Sequence, residues 1–106
     1  MQTPTRNLPG AELAGIFRAL ADPNRLAIFR LVRERGSKVR TLEEAENSIS
    51  KIAREFDLSL STVSHHLKEL RNAGLISCEK RGQTVYCTAE PEALGVVERF
   101  LGEAEE

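Results

Sequence analysis

The sequence predicts a mainly α-helical domain of about five helices carrying one two-stranded β-hairpin. Three observations lead there. Apolar residues recur at helical spacing in five separate segments. Only once, between residues 76 and 88, does the period change to strict alternation, around Arg81-Gly82-Gln83. With 106 residues, 41% of them hydrophobic and 29% charged, the chain has the length of one domain and enough apolar residues for a real core.

The elements follow in order. Residues 1–10 hold two prolines and a glycine and read as a flexible N-terminal arm to a domain over residues 11–102. From Ala11, a first helix shows the stripe Leu13, Ile16, Phe17 and Leu20. Asp22-Pro23 resets the chain, because Asp is a good N-cap and Pro suits the first helical position. The second helix runs to about Arg35, with Leu26, Ile28, Phe29, Leu31 and Val32 as its apolar surface and Gly36 as its C-cap. Residues 36–47 are polar and form a connecting loop that can hold a helical turn at Leu42–Ala45.

A short third helix starts near Ser50, marked by Ile49, Ile52, Ala53 and Phe56, and Asp57-Leu58 breaks it. Ser59 caps a fourth helix with Leu60, Val63, Leu67 and Leu70 on its buried side. Gly74 followed by Leu75 signals a Schellman ending. After the hairpin, Pro91 opens a last helix with the stripe Leu94, Val97, Phe100 and Leu101, and residues 103–106 are a fraying acidic tail.

Composition excludes several classes. Two cysteines are too few for a secreted disulfide framework, and the start shows no signal-peptide pattern. No apolar run approaches the roughly 20 residues of a membrane helix, so the reading is a cytoplasmic protein with no membrane partner. No Gly-rich phosphate loop, metal-binding His/carboxylate motif or nucleophile elbow is present. The sequence therefore predicts no enzyme, no cofactor and no metal site. The net charge of −1 conceals blocks: residues 1–40 carry +5, residues 41–58 carry −3, residues 59–83 carry +2 and residues 84–106 carry −5. A near-neutral total thus leaves room for an anionic partner, provided the basic residues share a face.

The third and fourth helices, joined by Asp57-Leu58-Ser59 and followed by the hairpin, have the order of a helix-turn-helix with a wing. The fourth helix opens on Ser59, Ser61, Thr62 and Ser64, small hydroxyl residues that allow close approach to a groove, at a helix end whose N–H groups favour phosphate. With Val63, Leu67 and Leu70 buried, Ser61, Ser64, His65 and Lys68 fall on the opposite side. Ser64 and His65 can bond base edges, and Lys68 and Arg71 can reach phosphates. Lys80, Arg81 and Gln83 at the hairpin tip make a basic finger. His66, about 100° around from His65, reads as a packed, hydrogen-bonded residue rather than as half of a metal pair. Arg25 and Arg30 read as solvated surface residues in ordinary ion pairs.

The stretches IFRALADPNRLAIFRLV, LSLSTVSHHLKELRNAGLI and RGQTVYC resemble the ArsR/SmtB family of winged-helix repressors, from about Ile16 to Cys87. The resemblance implies a homodimer that binds operator DNA and is released by a signal; two recognition helices in such a dimer, about one DNA turn apart, would select an inverted repeat. It also implies a dimer interface on the first and last helices, here Leu13, Ile16, Phe17, Leu20, Leu94, Val97 and Leu101. Two departures bear on the signal. Thiolate sensors of the family carry Cys-Val-Cys where this chain has Ser48-Ile49-Ser50, and a hydroxyl does not replace a soft thiolate ligand. Zinc-type members place His and carboxylates on the last helix, which here has Glu92 and Glu98 but no His.

Cys78 and Cys87 lie on opposite strands of the wing. A turn centred on Gly82-Gln83 sets them directly across from each other. A turn at Arg81-Gly82 sets them diagonally, roughly 7–8 Å apart, and a three-residue loop sets them on opposite faces. They read either as small buried hydrophobes or as a redox or thiophilic-metal pair. Besides an operator-binding repressor, two other functions stay open: a winged-helix protein-interaction module, which would show an exposed apolar stripe on the fourth helix, and a thiol-based regulator.

Overall fold

The computed structural model describes residues 10–36, 49–82 and 84–103. The proposed arm at 1–9, the connection at 37–48 with its helical turn, Gln83 and the end of the acidic tail lie outside the described residues. The order is α1 (Ala11–Leu20), α2 (Pro23–Gly36), α3 (Ile49–Phe56), α4 (Leu60–Asn72), β1 (Ile76–Arg81), β2 (Thr84–Ala89) and α5 (Pro91–Glu103). Among the described residues, five helices plus one antiparallel hairpin make a winged helix-turn-helix, as the residue pattern predicts.

Helix boundaries sit where local chemistry puts them. The Asp22 carboxylate accepts from the Arg25 N–H at 2.9 Å, and the Asp22 carbonyl accepts from the Leu26 N–H, closing the first turn of α2. That backbone hydrogen bond is the main reason the Asp22 carboxyl is held below its ordinary pKa. At the end of α4, the Leu75 N–H donates to the Leu70 carbonyl at 3.0 Å and the Gly74 N–H to the Arg71 carbonyl at 2.9 Å, the two bonds of a Schellman ending. Gly74 has φ 78°, which a side chain would strain.

The core gathers one face from every element. Ile16 and Ala19 of α1, Ile28, Phe29 and Val32 of α2, Ile52 and Ala53 of α3, and Val63, Leu67 and Leu70 of α4 close around Leu75, Ile76, Cys87 and Ala93. The core differs from the residue pattern at two positions. Leu60 is 56% exposed rather than buried, because it is the first residue of α4 and sits past the edge of the Val63–Leu67–Leu70 stripe. Ile16 is 0% exposed, so it belongs to the chain's own core and has no surface to offer a second copy. A step of 100° per residue explains the division of α1, with Ile16 and Ala19 pointing inward and Leu13, Phe17 and Leu20 along the adjoining edge.

The hairpin register resolves the alternatives for the wing. Cys78 pairs with Cys87, Glu79 with Tyr86, Lys80 with Val85 and Arg81 with Thr84, so the chain leaves β1 after Arg81 with Gly82 as the first residue past the last pair. Gly82 has φ 63°, as the first position of a primed two-residue turn requires. Strand alternation sends Lys80 to the face shared with the cysteines, and Arg81 to the opposite face with Glu79 and Tyr86.

Candidate nucleic-acid interface

The start of α4 is fixed by its own hydroxyls. Ser59 Oγ accepts from the Thr62 N–H at 3.1 Å and donates to Thr62 Oγ1 at 2.8 Å, with Ser61 Oγ 3.2 Å away. Asp57, at φ 52°, makes the sharp turn out of α3 immediately before. Ser59 and Thr62 therefore build the helix end, and their hydroxyls are largely committed to each other. Ser61, Ser64, His65, Lys68 and Arg71 are all exposed, on the side of α4 away from Val63, Leu67 and Leu70. This face carries two cations, and its other polar groups are short enough to admit a duplex groove. Leu60, which residue periodicity placed inside, adds one apolar side chain at its N-terminal corner.

His65 and His66 divide as their helical positions require. His65 is exposed, whereas His66 is buried, with Nδ1 3.5 Å from an Arg25 guanidinium nitrogen. Arg25 is not the surface ion pair expected from the sequence. Its Nε–H donates to the Ala19 carbonyl at 2.6 Å, so one half-buried guanidinium ties the end of α1 to the inner flank of α4. The helix that would read DNA is thereby held against the first helix through a polar contact as well as through the core.

The wing tip is basic but internally partnered. Arg81 Nε donates to Glu79 Oε1 at 3.1 Å and its terminal nitrogen donates to Oε2 at 3.3 Å, a fork of two charge-assisted bonds. The Tyr86 ring lies 5.9 Å below the same guanidinium. This hydrogen bond and charge hold the Glu79 carboxyl below its ordinary pKa and push the Arg81 guanidinium up. Residue reading missed Glu79 and Tyr86. The signal was available, because residues two apart on a strand share a face and Tyr86 is the cross-strand neighbour of Glu79. Lys80 is exposed, and Gln83 lies outside the described residues.

The end helices leave apolar surface uncovered. Phe17 and Phe100 meet edge to face with centroids 6.1 Å apart, and both remain exposed. Leu101 is 62% exposed, while Leu13, Leu20, Leu94 and Val97 are half-buried around them. Phe100 joins this patch although residue reading put it only in the stripe of the last helix. Among the described residues, no cluster of three or more His, Cys, Asp or Glu side chains could hold a metal ion, and no helix is long and apolar enough to cross a membrane. Ser50 is exposed on α3, and Ser48 lies outside the described residues.

Comparison with known proteins agrees with this fold. The family described as a helix-turn-helix domain matches residues 20–79. The crystal structure of the ArsR family transcriptional regulator RHA00566 superposes with a TM-score of 0.73 at 32% identity, over 89% of this chain and 92% of that one. The chain belongs to the ArsR family. Another relative of this ArsR-family chain is the transcriptional repressor SdpR of Bacillus subtilis, 32% identical over 67% of this chain and 68% of its own. The cadmium resistance regulatory protein CadC of Listeria innocua is 32% identical over 76% of this chain, which spans 60% of that relative's length. The homodimeric winged helix-turn-helix domain Mb0332 of Mycobacterium bovis shares the fold, with a TM-score of 0.66 at 21% identity. The relatives of this ArsR-family chain are transcriptional regulators rather than enzymes.

Proposed function

We propose that the chain is a sequence-specific, operator-binding repressor that acts as a homodimer in the cytoplasm and is released from DNA by a signal. The observation that carries this reading is the exposed face of α4. Ser61, Ser64, His65, Lys68 and Arg71 share one side of a helix whose capped N-terminus follows a sharp turn from α3. Ser64 and His65 read base edges, Lys68 and Arg71 hold phosphates, and Leu60 supplies an apolar contact of the kind that detects a thymine methyl. Ser59 and Thr62 contribute by setting the helix end, where backbone N–H groups meet a phosphate. Lys80 and Arg81 of the wing hold the flanking backbone.

The apolar edge of α1 and α5 supports a homodimer. Phe17, Phe100 and Leu101 are a contiguous exposed patch on helices that already touch, and a second copy would bury it. Two α4 helices would then enter successive major grooves about 34 Å apart and select an inverted repeat. The interaction-module alternative is less well supported, since Leu60 is a single apolar residue on a polar helix face rather than a stripe.

Selection of binding sites from random duplex DNA, followed by titration of variants, tests the reading. Ser64→Ala or His65→Ala should each cost roughly 1–3 kcal/mol on the selected site and relax preference at the base contacted. Recovery of no enriched sequence, or equal affinity of both variants for selected and scrambled duplexes, would defeat it.

A further inference from the structure

The wing holds a second chemical feature that DNA contact does not use. Cys78 and Cys87 are Cα partners in the hairpin, and their sulfurs lie 3.3 Å apart. The type of pair matters. Glu90 N–H donates to the Leu75 carbonyl, one step beyond the Ile76–Ala89 pair. In an antiparallel ladder, hydrogen-bonded and non-hydrogen-bonded pairs alternate. Counting inward from Leu75–Glu90 makes Cys78–Cys87 a non-hydrogen-bonded pair, the kind in which side chains approach most closely. Its expected Cα separation of about 4.5 Å falls within the range a disulfide spans.

We propose that Cys78 and Cys87 are an oxidisable dithiol, a modification site that closes to an intrachain disulfide when a peroxide reaches the wing and so weakens the wing's hold on DNA. The second half of that statement rests on the DNA-binding reading above; the first does not.

The two thiols take different parts. Cys78 is half-buried and meets the oxidant first, whereas Cys87 is 3% exposed. Burial, reinforced by the neighbouring Cys78 thiol, pushes the Cys87 thiol up against an opposing influence from Arg71, so Cys87 stays protonated and acts second. The Cys78 thiolate attacks one peroxide oxygen. The O–O bond breaks, the departing oxygen takes a proton and leaves as water, and Cys78 becomes a sulfenic acid. Cys87 sulfur then attacks the Cys78 sulfur, forming the S–S bond and breaking the S–O bond. The hydroxyl leaves with the Cys87 proton as a second water. Peroxide is reduced by two electrons and the two thiols are oxidised by two.

Oxidation fits this site better than metal capture, because two thiolates make an incomplete soft site and no cluster of three candidate ligands exists among the described residues. The consequence for the wing follows from which side can move. The sulfurs must close from 3.3 Å to about 2.05 Å, with the two Cβ–S bonds roughly perpendicular. Cys87 is anchored in the core, so β1 is the strand that adjusts. Lys80 and Arg81 lie on β1 two and three residues beyond Cys78. Shifting β1 re-aims them together.

The test has two independent arms. In the first, the full chain is treated with a few equivalents of hydrogen peroxide, quenched with N-ethylmaleimide and analysed by intact mass and peptide mapping. The expected result is a monomeric chain that has lost both alkylation sites, gives a Cys78–Cys87 cross-linked peptide and is restored by dithiothreitol. Cys87→Ala, checked for folding by circular dichroism, should accumulate a sulfenic acid at Cys78 that dimedone captures. Two thiols still open to alkylation, cross-links only between chains, or sulfinic acid at Cys78 in the unsubstituted chain would overturn the proposal.

In the second arm, reduced and oxidised protein are titrated against the selected duplex. Oxidation should weaken binding about tenfold, the loss of one charge-assisted contact, and Cys78→Ser should show no response to peroxide. Equal affinity in both redox states would overturn the regulatory half. If the reduced chain binds no duplex, the DNA reading fails, and the mass measurement still decides the thiol site.

Discussion

Replacing Glu79 with Gln is expected to strengthen DNA binding while leaving sequence preference unchanged. In the free chain the Glu79 carboxylate accepts two hydrogen bonds from Arg81, at 3.1 Å and 3.3 Å. The fork takes two of the five N–H donors of Arg81 and neutralises its charge, so carboxylate and DNA compete for one cation. Glu79 also brings its own negative charge to the tip. The consecutive charges Glu79, Lys80 and Arg81 sum to +1, and the substitution makes them +2. The magnitude follows from counterion release, with a slope of about 0.9 in log K against log salt for each phosphate neutralised. Between 50 and 200 mM salt, one contact is therefore worth about 3.5-fold. Arg81→Ala should shrink the affinity ratio between those two salt concentrations by about that factor. Glu79→Gln should raise affinity about threefold at low salt, with the gain fading as screening increases. In the Arg81→Ala background the gain should be smaller, since the competition is gone. Fluorescence-anisotropy titrations on selected and scrambled duplexes at several salt concentrations measure all four proteins. An unchanged salt slope for Arg81→Ala would show that the wing holds no phosphate. Weaker binding by Glu79→Gln would show that the fork orients Arg81 in the complex rather than competing with it.

Other outcomes follow from single contacts. Ser59→Ala removes the acceptor for the Thr62 N–H and should cost about 1 kcal/mol of stability in a urea melt, whereas Ser59→Asp should retain most of it. Leu101→Glu places a charge in the exposed apolar patch of α5 and should convert the proposed homodimer to monomer in sedimentation equilibrium, with little change in far-UV circular dichroism. Because the Asp22 carboxyl is held below its ordinary pKa, its stabilisation is present in full above about pH 4 and disappears as pH falls through the lowered value. Thermal melts of the unsubstituted chain and Asp22→Ala should accordingly differ at pH 7 and converge in strong acid.

The elements that residue pattern located well are those whose ends are set by local chemistry. Asp22-Pro23, the Ser59 cap and the Gly74-Leu75 ending each satisfy helix-terminal groups within a few residues, so their meaning does not depend on the rest of the fold. Failures occurred where a position is decided by what lies across the molecule. Leu60 has an apolar side chain at near-core spacing, yet among the described residues no element buries it. Ile16 shares a helix and a stripe with Phe17, but only packing against α2 and α4 tells which of the two turns inward. Arg25 looked like surface charge because its acceptor, the Ala19 carbonyl, is a backbone group at a helix end, which composition cannot reveal. The face of α4 was legible because it needed only the helical period and knowledge of which side was buried. The wing register required more, since a one-residue change in the turn moves every cross-strand partner. Gly82 as the first turn position favours the observed pairing, because φ near +60° costs glycine little and other residues more. One glycine thus sets the cross-strand geometry of the wing: it brings Tyr86 opposite Glu79 and Cys78 opposite Cys87. Moving the turn by one residue would separate the sulfurs, and the fork of Arg81 and Glu79 would survive because it lies within one strand. A Gly82 substitution that shifts the register should therefore abolish peroxide-induced cross-linking while leaving the Arg81–Glu79 pair in place.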